Sequence, residues 1–475
     1  MSLRTYIYKS RKLSDYLLLL SMLVLFILSV VFYRERIIFT DTAVYAQELA
    51  ESGKFYIATN RFISVIPQIL PWMGVQIGLP LEQVLLLYSI GFIMIPLTCS
   101  AICRLVFKDR QTAWAILLFI TIMSTWNFYY PVSEFQSGLC LLLLYHSCTL
   151  HYLRRNSTSL VFLALTLLLP LTFVFSHPLA VFVFFVWIGW LLYEVPESRK
   201  RIMLLPVLIV ASSYSVKELF FKSIVGTQVY DATQRERIQN LDASFTDHFQ
   251  NGLAQSFYKV FRDDYFLVAG LVLLLLLAFF YRKRYLLVLG LPVYLLGYWL
   301  IVMASYKEQT YSAYIEHLLQ PIPFVLALWT AYYLLSDTTK PVFQVLLLVP
   351  LLLISFIKIA DNHVVFTGRI RWYNNLIEFM HEKGWNNAVI TPYFVPVGDQ
   401  HAYWAAASES ELISSLPGPE NTVTIRVDWS TWNSNHLTPP ANERTKYFTR
   451  RAEPFLLVDS FATPQKLDSL RQVFY

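Results

Sequence analysis

Residues 16–45 read YLLLLSMLVLFILSVVFYRERIIFTDTAVY. Residues 16–33 are apolar almost without a break, and a helix needs about 20 such residues to cross roughly 30 Å of hydrocarbon. Arg4, Lys9, Arg11 and Lys12 precede the run, as in a secretory signal. Where a cleavage site would need small residues, however, Tyr33-Arg34-Glu35-Arg36 follows. The run is expected to remain as a signal anchor, with TDTAVYAQELAES emerging beyond it.

The same texture continues along the chain. Its 475 residues are 56% hydrophobic and 15% charged, and its mean hydropathy is +0.47. Soluble domains carry about 25% charged residues, so these charges are too few to coat a surface. The composition implies a polytopic α-helical membrane protein and excludes disorder, collagen-like repeats and a disulfide scaffold. Apolar runs of spanning length number about eleven: 16–33, 81–107, 111–128, 134–153, 159–176, 178–194, 201–221, 265–281, 284–303, 318–336 and 341–359. Cys99, Cys103, Cys140 and Cys148 fall in or beside these runs without zinc-like spacing.

Charge placement gives an orientation. With the N-terminus inside, the short inner loops hold Arg104/Lys108/Arg110, Arg154/Arg155, Arg199/Lys200/Arg201, Arg282/Lys283/Arg284 and Lys340. The outer turns at 129–133 and 176–177 hold no Lys or Arg, which is the positive-inside pattern. The formal charge of +6 therefore reflects topology, and no nucleic-acid partner is expected. All long polar segments (34–80, 222–264, 304–317 and 360–475) fall outside, and so does the C-terminus.

Each outer segment has its own pattern. Thr42–Ser52 reads as a short helix stopped by Gly53. Residues 62–80, broken by Pro67, Pro71 and Gly74, read as a helix lying in the interface. Phe245, Phe249, Leu253 and Phe257 form a packing or membrane-facing stripe. Past residue 360 the chain alternates: LIEFMHEKGW as helix, NNAVITPYFV, NTVTIRV and EPFLLVD as strands, PQKLDSLRQVF as helix. This predicts a small α/β domain over 360–475, attached to a membrane domain over 1–359. Trp372, Trp385, Trp404, Trp429 and Trp432 are assigned to its core in preference to a sugar-stacking surface.

Two places can carry chemistry. Asp41 lies eight residues past the first span, within reach of a lipid phosphate. A carboxylate there can act as general base or cap the following helix; from spacing alone the cap is preferred. The second place is ASYKEQTYSAYIEHLLQP, residues 304–321, with Lys307, Glu308, Tyr311, Tyr314, Glu316 and His317 at the mouth of a span. Its cations can neutralise phosphate and its tyrosines can hydrogen-bond a sugar. Arg61, Glu134, His177, Lys217, Glu218 and Lys222 are secondary candidates. The sequence contains no P-loop, GxGxxG, HExxH or GxSxG arrangement.

With FTDTAVY at 39–45, PQILPWMG at 67–74 and YIEHLLQP at 314–321, the layout of residues 1–359 resembles the GT-C superfamily of membrane glycosyltransferases. The likeness is to the bacterial mannosyl- and aminoarabinose-transferase branch. The resemblance implies an inner-membrane enzyme with its site on the periplasmic face. Such an enzyme moves a sugar, with inversion, from a polyprenyl-phosphate donor to a hydroxyl acceptor on a glycan, lipid or protein. It also implies Asp41 as the base. Lys307, His317 and Lys222 would stabilise the phosphate, with Glu316, Tyr311 and His177 lining the substrate site. Many members carry a second acidic residue beside the first; here Thr42 and Ala43 follow, and Glu48 is the substitute. The missing pair argues against a DxD-type metal site, no metal motif is present, and a divalent cation is left open. The alternative is a non-catalytic scaffold of the same architecture, binding membrane lipids or envelope proteins.

Overall fold

The computed structural model describes residues 3–58, 61–132, 134–155, 160–177, 179–195, 204–217, 219, 249, 252–306, 311–336, 339–390, 395, 402–427 and 442–458. Helix α1 (Leu3–Val31) leads through the short α2 (Tyr33–Ile37) into α3 (Thr40–Ser52). After α4 (Val65–Gln76) come α5 (Leu81–Leu105), α6 (Arg110–Phe119), α7 (Glu134–Arg155), α8 (Leu160–Val174), α9 (Ala180–Glu194) and α10 (Leu204–Val216). The second half contains α11 (Gly252–Asp264), α12 (Phe266–Tyr281), α13 (Tyr285–Ser305), α14 (Ser312–Leu319), α15 (Pro321–Trp329) and the long α16 (Pro341–Lys383).

The fold is mostly helical, and its apolar helices are consistent with a membrane protein. Leu346, Val349, Leu353 and Ile357 recur every three or four residues along α16 and are all exposed, as are Leu286, Leu289 and Val293 on α13. Apolar stripes of that length suit contact with hydrocarbon. Among the described residues four helical stretches are long and apolar enough to cross a membrane: Leu13–Val31, Leu81–Leu105, Tyr285–Ser305 and Val342–Lys383. A fifth is added if α11 and α12, bent by 80° at their junction, count as one span.

Among the described residues the eleven expected runs are therefore not eleven full spans. The 111–128 run is helical only to Phe119, then turns through Met123 at φ +52° into a 3-10 segment, Asn127–Tyr129. Pro321 and Pro323 divide the 318–336 run, which ends in a π-helical turn, Thr330–Leu334. Helices α8, α9 and α10 have 15, 15 and 13 residues, about 20–23 Å long at 1.5 Å per residue. Helix α7 has the length, but its His146, Ser147, Thr149 and His151 dilute its apolar character.

The expected stop of α3 holds, although the helix begins at Thr40 rather than Thr42. Helix α3 stops at Gly53 in the left-handed region, φ +62°. Helix α4 is too short to span and lies against α5, the Pro67 carbonyl passing over Gly91 so closely that a Cβ there would sit 2.1 Å from the oxygen. Its other face exposes Ile66, Ile69, Met73 and Ile77. The aromatic stripe packs inward: Phe249 and Phe257 meet Trp299, and Leu253 is fully buried; Phe245 lies outside the described residues.

The expected boundary between 359 and 360 falls inside α16, which carries the chain unbroken from the apolar bundle into the C-terminal region. There β1 (Asn387–Ile390) lies between β2 (Thr424–Val427) and β5 (Leu456–Val458), both parallel to it. Helix α17 (Ala406–Ser414) makes the crossover, and β3 (Glu443–Arg444) pairs antiparallel with β4 (Thr449–Arg450). Strand β1, NAVI, is buried at every position, as a central parallel strand covered on both faces should be. One hydrophobic cluster joins this sheet to the first loop: Ala388, Ile390, Leu412 and Ile425 with Tyr373 and Leu376, and with Ile37, Ala43 and Leu49. Trp372 belongs to it and Trp385 packs against it, whereas Trp404 is exposed. Trp429, Trp432 and the predicted closing helix lie outside the described residues.

Candidate active site

Asp41 sits in the first turn of α3, and it is partly exposed while Thr40, Thr42 and Ala43 are buried. It is not the cap. Phe39 occupies the cap position, and the Thr40 N–H goes to Glu409 Oε1 at 2.7 Å. Freed from capping, Asp41 Oδ2 accepts the hydroxyl of Tyr130. Burial pushes the Asp41 carboxyl up to about 6; the Glu134 charge adds to this, while the Tyr130 bond and Arg61 oppose it. A carboxyl at that value exchanges its proton near neutral pH.

Tyr130 is held by the turn after α6. Arg36 of α2 donates from Nε to Ser89 Oγ (2.8 Å) and from Nη1 to the Phe128 carbonyl (2.5 Å), and lies over the Phe128 ring. Glu316 fixes the same turn from the opposite side. It accepts from Thr125 Oγ1 (3.0 Å), the Asn127 N–H (2.6 Å) and the Tyr265 hydroxyl. Burial pushes the Glu316 carboxyl up to about 7. With its oxygens committed to these three donors, Glu316 anchors the turn that carries Tyr130.

Glu134 and Arg61 act on the charge of Asp41, and Arg61 acts in turn on two histidines. Glu134, the first residue of α7, accepts the Tyr45 hydroxyl at 2.9 Å and Arg61 Nη1 at 3.2 Å. Arg61 is nearly buried and its field reaches Asp41, His177 and His317. His177 stacks on Phe135 (centroids 4.7 Å) and meets His317 edge-on at 5.4 Å. Burial, reinforced by Arg61, pushes His317 down to about 3 and His177 well below its usual value. Both imidazoles are therefore neutral. In these surroundings His317 offers hydrogen bonds rather than charge, and among the described residues the fixed positive charge acting on Asp41 is that of Arg61. His177 Nδ1 accepts the Leu179 N–H at 3.2 Å, which leaves the proton on Nε2, a buried atom with no partner among the described residues.

Tyr311 joins the group, edge-on to Phe39 (5.8 Å) and to Tyr130 (6.2 Å). Glu48 is exposed two turns along α3 and does not join; the second carboxylate near Asp41 is Glu134. Lys217 lies 3.4 Å from the Val174 carbonyl and over the Phe175 ring. Lys222, Lys307, Glu218 and Glu308 lie outside the described residues. Tyr130, Tyr45, Arg369 and Glu409 went unrecognised in the sequence; only the aromatic run TWNFYYPVS, just ahead of Glu134, hinted at Tyr130. Among the described residues no group of three or more His, Cys, Asp or Glu side chains is placed to hold a metal ion. Compared with protein-family models, with curated proteins and with solved structures, the chain matches none.

Proposed function

We propose that the protein is an inverting, GT-C-like glycosyltransferase that uses a polyprenyl-phosphate sugar at the outer membrane face. The observation that carries the reading is Asp41: a partly accessible carboxylate, held by Tyr130, with a pKa raised to about 6 and a buried arginine in its field. Asp41 takes the proton of an acceptor hydroxyl as that oxygen bonds to the anomeric carbon. The bond from that carbon to the phosphate oxygen breaks, and the phosphate leaves with the electron pair. Arg61 and the Nε2–H of His177 are the groups suited to receive it. No acid is needed for the leaving group, because a phosphate departs as an anion.

The orientation, with basic loops inside and the Asp41 end periplasmic in a bacterial inner membrane, belongs to this proposal. The acceptor is a glycan, lipid or protein hydroxyl.

The test is transfer of radiolabelled sugar from a polyprenyl-phosphate donor in proteoliposomes, comparing wild type with Asp41→Asn. Loss of at least about 100-fold, as expected for removing a general base, supports the assignment; full activity of the variant overturns it. Stable stoichiometric envelope partners, with no turnover of any lipid-linked sugar by the wild type, would instead establish the scaffold reading.

A further inference from the structure

Thr40, immediately before Asp41, has φ +43°, a left-handed conformation that a β-branched residue rarely adopts. Something must hold it there. Its N–H reaches Glu409 Oε1, 369 positions away on α17. Glu409 is fully buried and takes both arms of Arg369: Nε to Oε2 at 2.8 Å and Nη2 to Oε1 at 2.9 Å. Arg369 in turn lies over the rings of Phe39 (5.1 Å) and Tyr403 (4.4 Å), so the residues on both sides of the Phe39–Thr40 bond meet the same pair. Two residues on, Glu411 accepts from Gln47 and from Arg450, whose Nη2 also reaches Glu51 at 2.7 Å. Helix α17 holds α3 directly at Thr40 and Gln47, and through Arg450 of β4 at Glu51.

We propose that Glu409 is a positioning residue for Asp41: by accepting the Thr40 N–H it fixes the left-handed turn from which the Asp41 carboxylate meets Tyr130 within the field of Arg61. The C-terminal α/β region is thereby part of the site and not an appended module. The role assigned to Asp41 rests on the glycosyltransferase reading; the geometry assigned to Glu409 does not.

A probe independent of turnover tests it. Dicyclohexylcarbodiimide modifies protonated carboxyl groups, and its adduct on Asp41 can be quantified by peptide mass spectrometry across pH on the full chain in nanodiscs. Tyr130, Tyr311, Glu134, Arg61 and the Arg369–Glu409 pair surround Asp41, and all but that pair stay unchanged in the variants. In the wild type, labelling falls as pH rises through about 6. The double variant R369M/E409Q keeps an acceptor for Thr40 and buries no unpaired charge, so it should keep that midpoint. R369M/E409L removes the acceptor and lets Asp41 relax toward water. A midpoint lower by about one unit means about fivefold less label at pH 6.

Adding Thr40→Gly to R369M/E409L supplies a residue that adopts φ +43° without strain, and should restore the label. If R369M/E409L fails to fold, recovery of both fold and label by Thr40→Gly supports the proposal. A wild-type midpoint in folded R369M/E409L, or no rescue by Thr40→Gly, overturns it. If the midpoints move as stated while the wild type transfers no sugar, the positioning stands and the glycosyltransferase reading falls.

Discussion

Tyr130 donates its hydroxyl to Asp41 Oδ2, joining the turn after α6 to the loop after α1. A hydroxyl that donates to a carboxylate favours the ionised form, so this bond holds the Asp41 pKa below the value that burial alone would set. In Tyr130→Phe the Asp41 pKa should rise above about 6, moving the acid limb of the transfer pH–rate profile to higher pH. The rate should fall severalfold near pH 6.5 and approach the wild type above pH 8. A limb that moved to lower pH would contradict the assignment of Asp41 as the base.

Asp41 also carries a cost in stability. Its folded pKa of about 6 lies above the ordinary carboxylate value near 3.9, so the fold favours the protonated form. That stabilisation is complete below about pH 4 and is lost as pH rises through about 6. Asp41→Asn mimics the protonated carboxyl and keeps an acceptor for Tyr130. It should match the wild type near pH 4 and exceed it at pH 7.5 by about 1–3 kcal/mol. Thermal unfolding in detergent at the two pH values reads the difference. A variant that is more stable yet inactive is the expected signature of a functional carboxylate.

The seat of α4 on α5 gives a second stability test. A Cβ on Gly91 would meet the Pro67 carbonyl at 2.1 Å, whereas a Cβ on Gly290 meets nothing within 4 Å. Gly91→Ala should destabilise by about 1–3 kcal/mol through overpacking, while Gly290→Ala should be neutral or slightly stabilising. Equal melting temperatures for the two variants would mean that α4 does not rest on α5 as described.

The sequence patterns recovered much of what depended on local rules. Gly53 announced the end of α3, and NAVI fell in an expected strand, whereas α4 runs unbroken through Pro67 and Pro71, which were read as breaking it. Apolar runs could not reveal where a helix stops. The 111–128 run hides a turn at Met123, whose positive φ no composition foretells. Asp41 was legible as a chemical candidate, but its partners were not. Tyr130 is 89 residues away and Glu409 lies in a different region, so both contacts are products of packing rather than of spacing. The cap assigned to Asp41 passed to Glu409 for the same reason: a distant carboxylate reached the Thr40 N–H. His317, read as a cation, is kept neutral by burial and Arg61 together, a state that depends on its surroundings and not on its residue type.

Arg61 and Glu134 allow fold and function to be separated. Their pair is 3.2 Å long with side-chain exposures of 11% and 3%, so removing one partner strands the other charge. Arg61→Met alone should destabilise by about 3–5 kcal/mol. It should also leave Glu134 uncompensated near Asp41, raising the Asp41 pKa further because like charge disfavours ionisation. The double variant R61M/E134Q strands no charge and keeps an acceptor for Tyr45, so much of the stability should return. If Arg61 also faces the departing phosphate, transfer should stay at least about 100-fold down in that double variant, since hydrogen bonds from neutral His177 and His317 cannot replace a fixed cation. Glu134→Gln alone keeps the cation and should retain most of the rate. Recovery of stability and transfer together in R61M/E134Q would reduce Arg61 to a structural counter-ion and place the phosphate elsewhere.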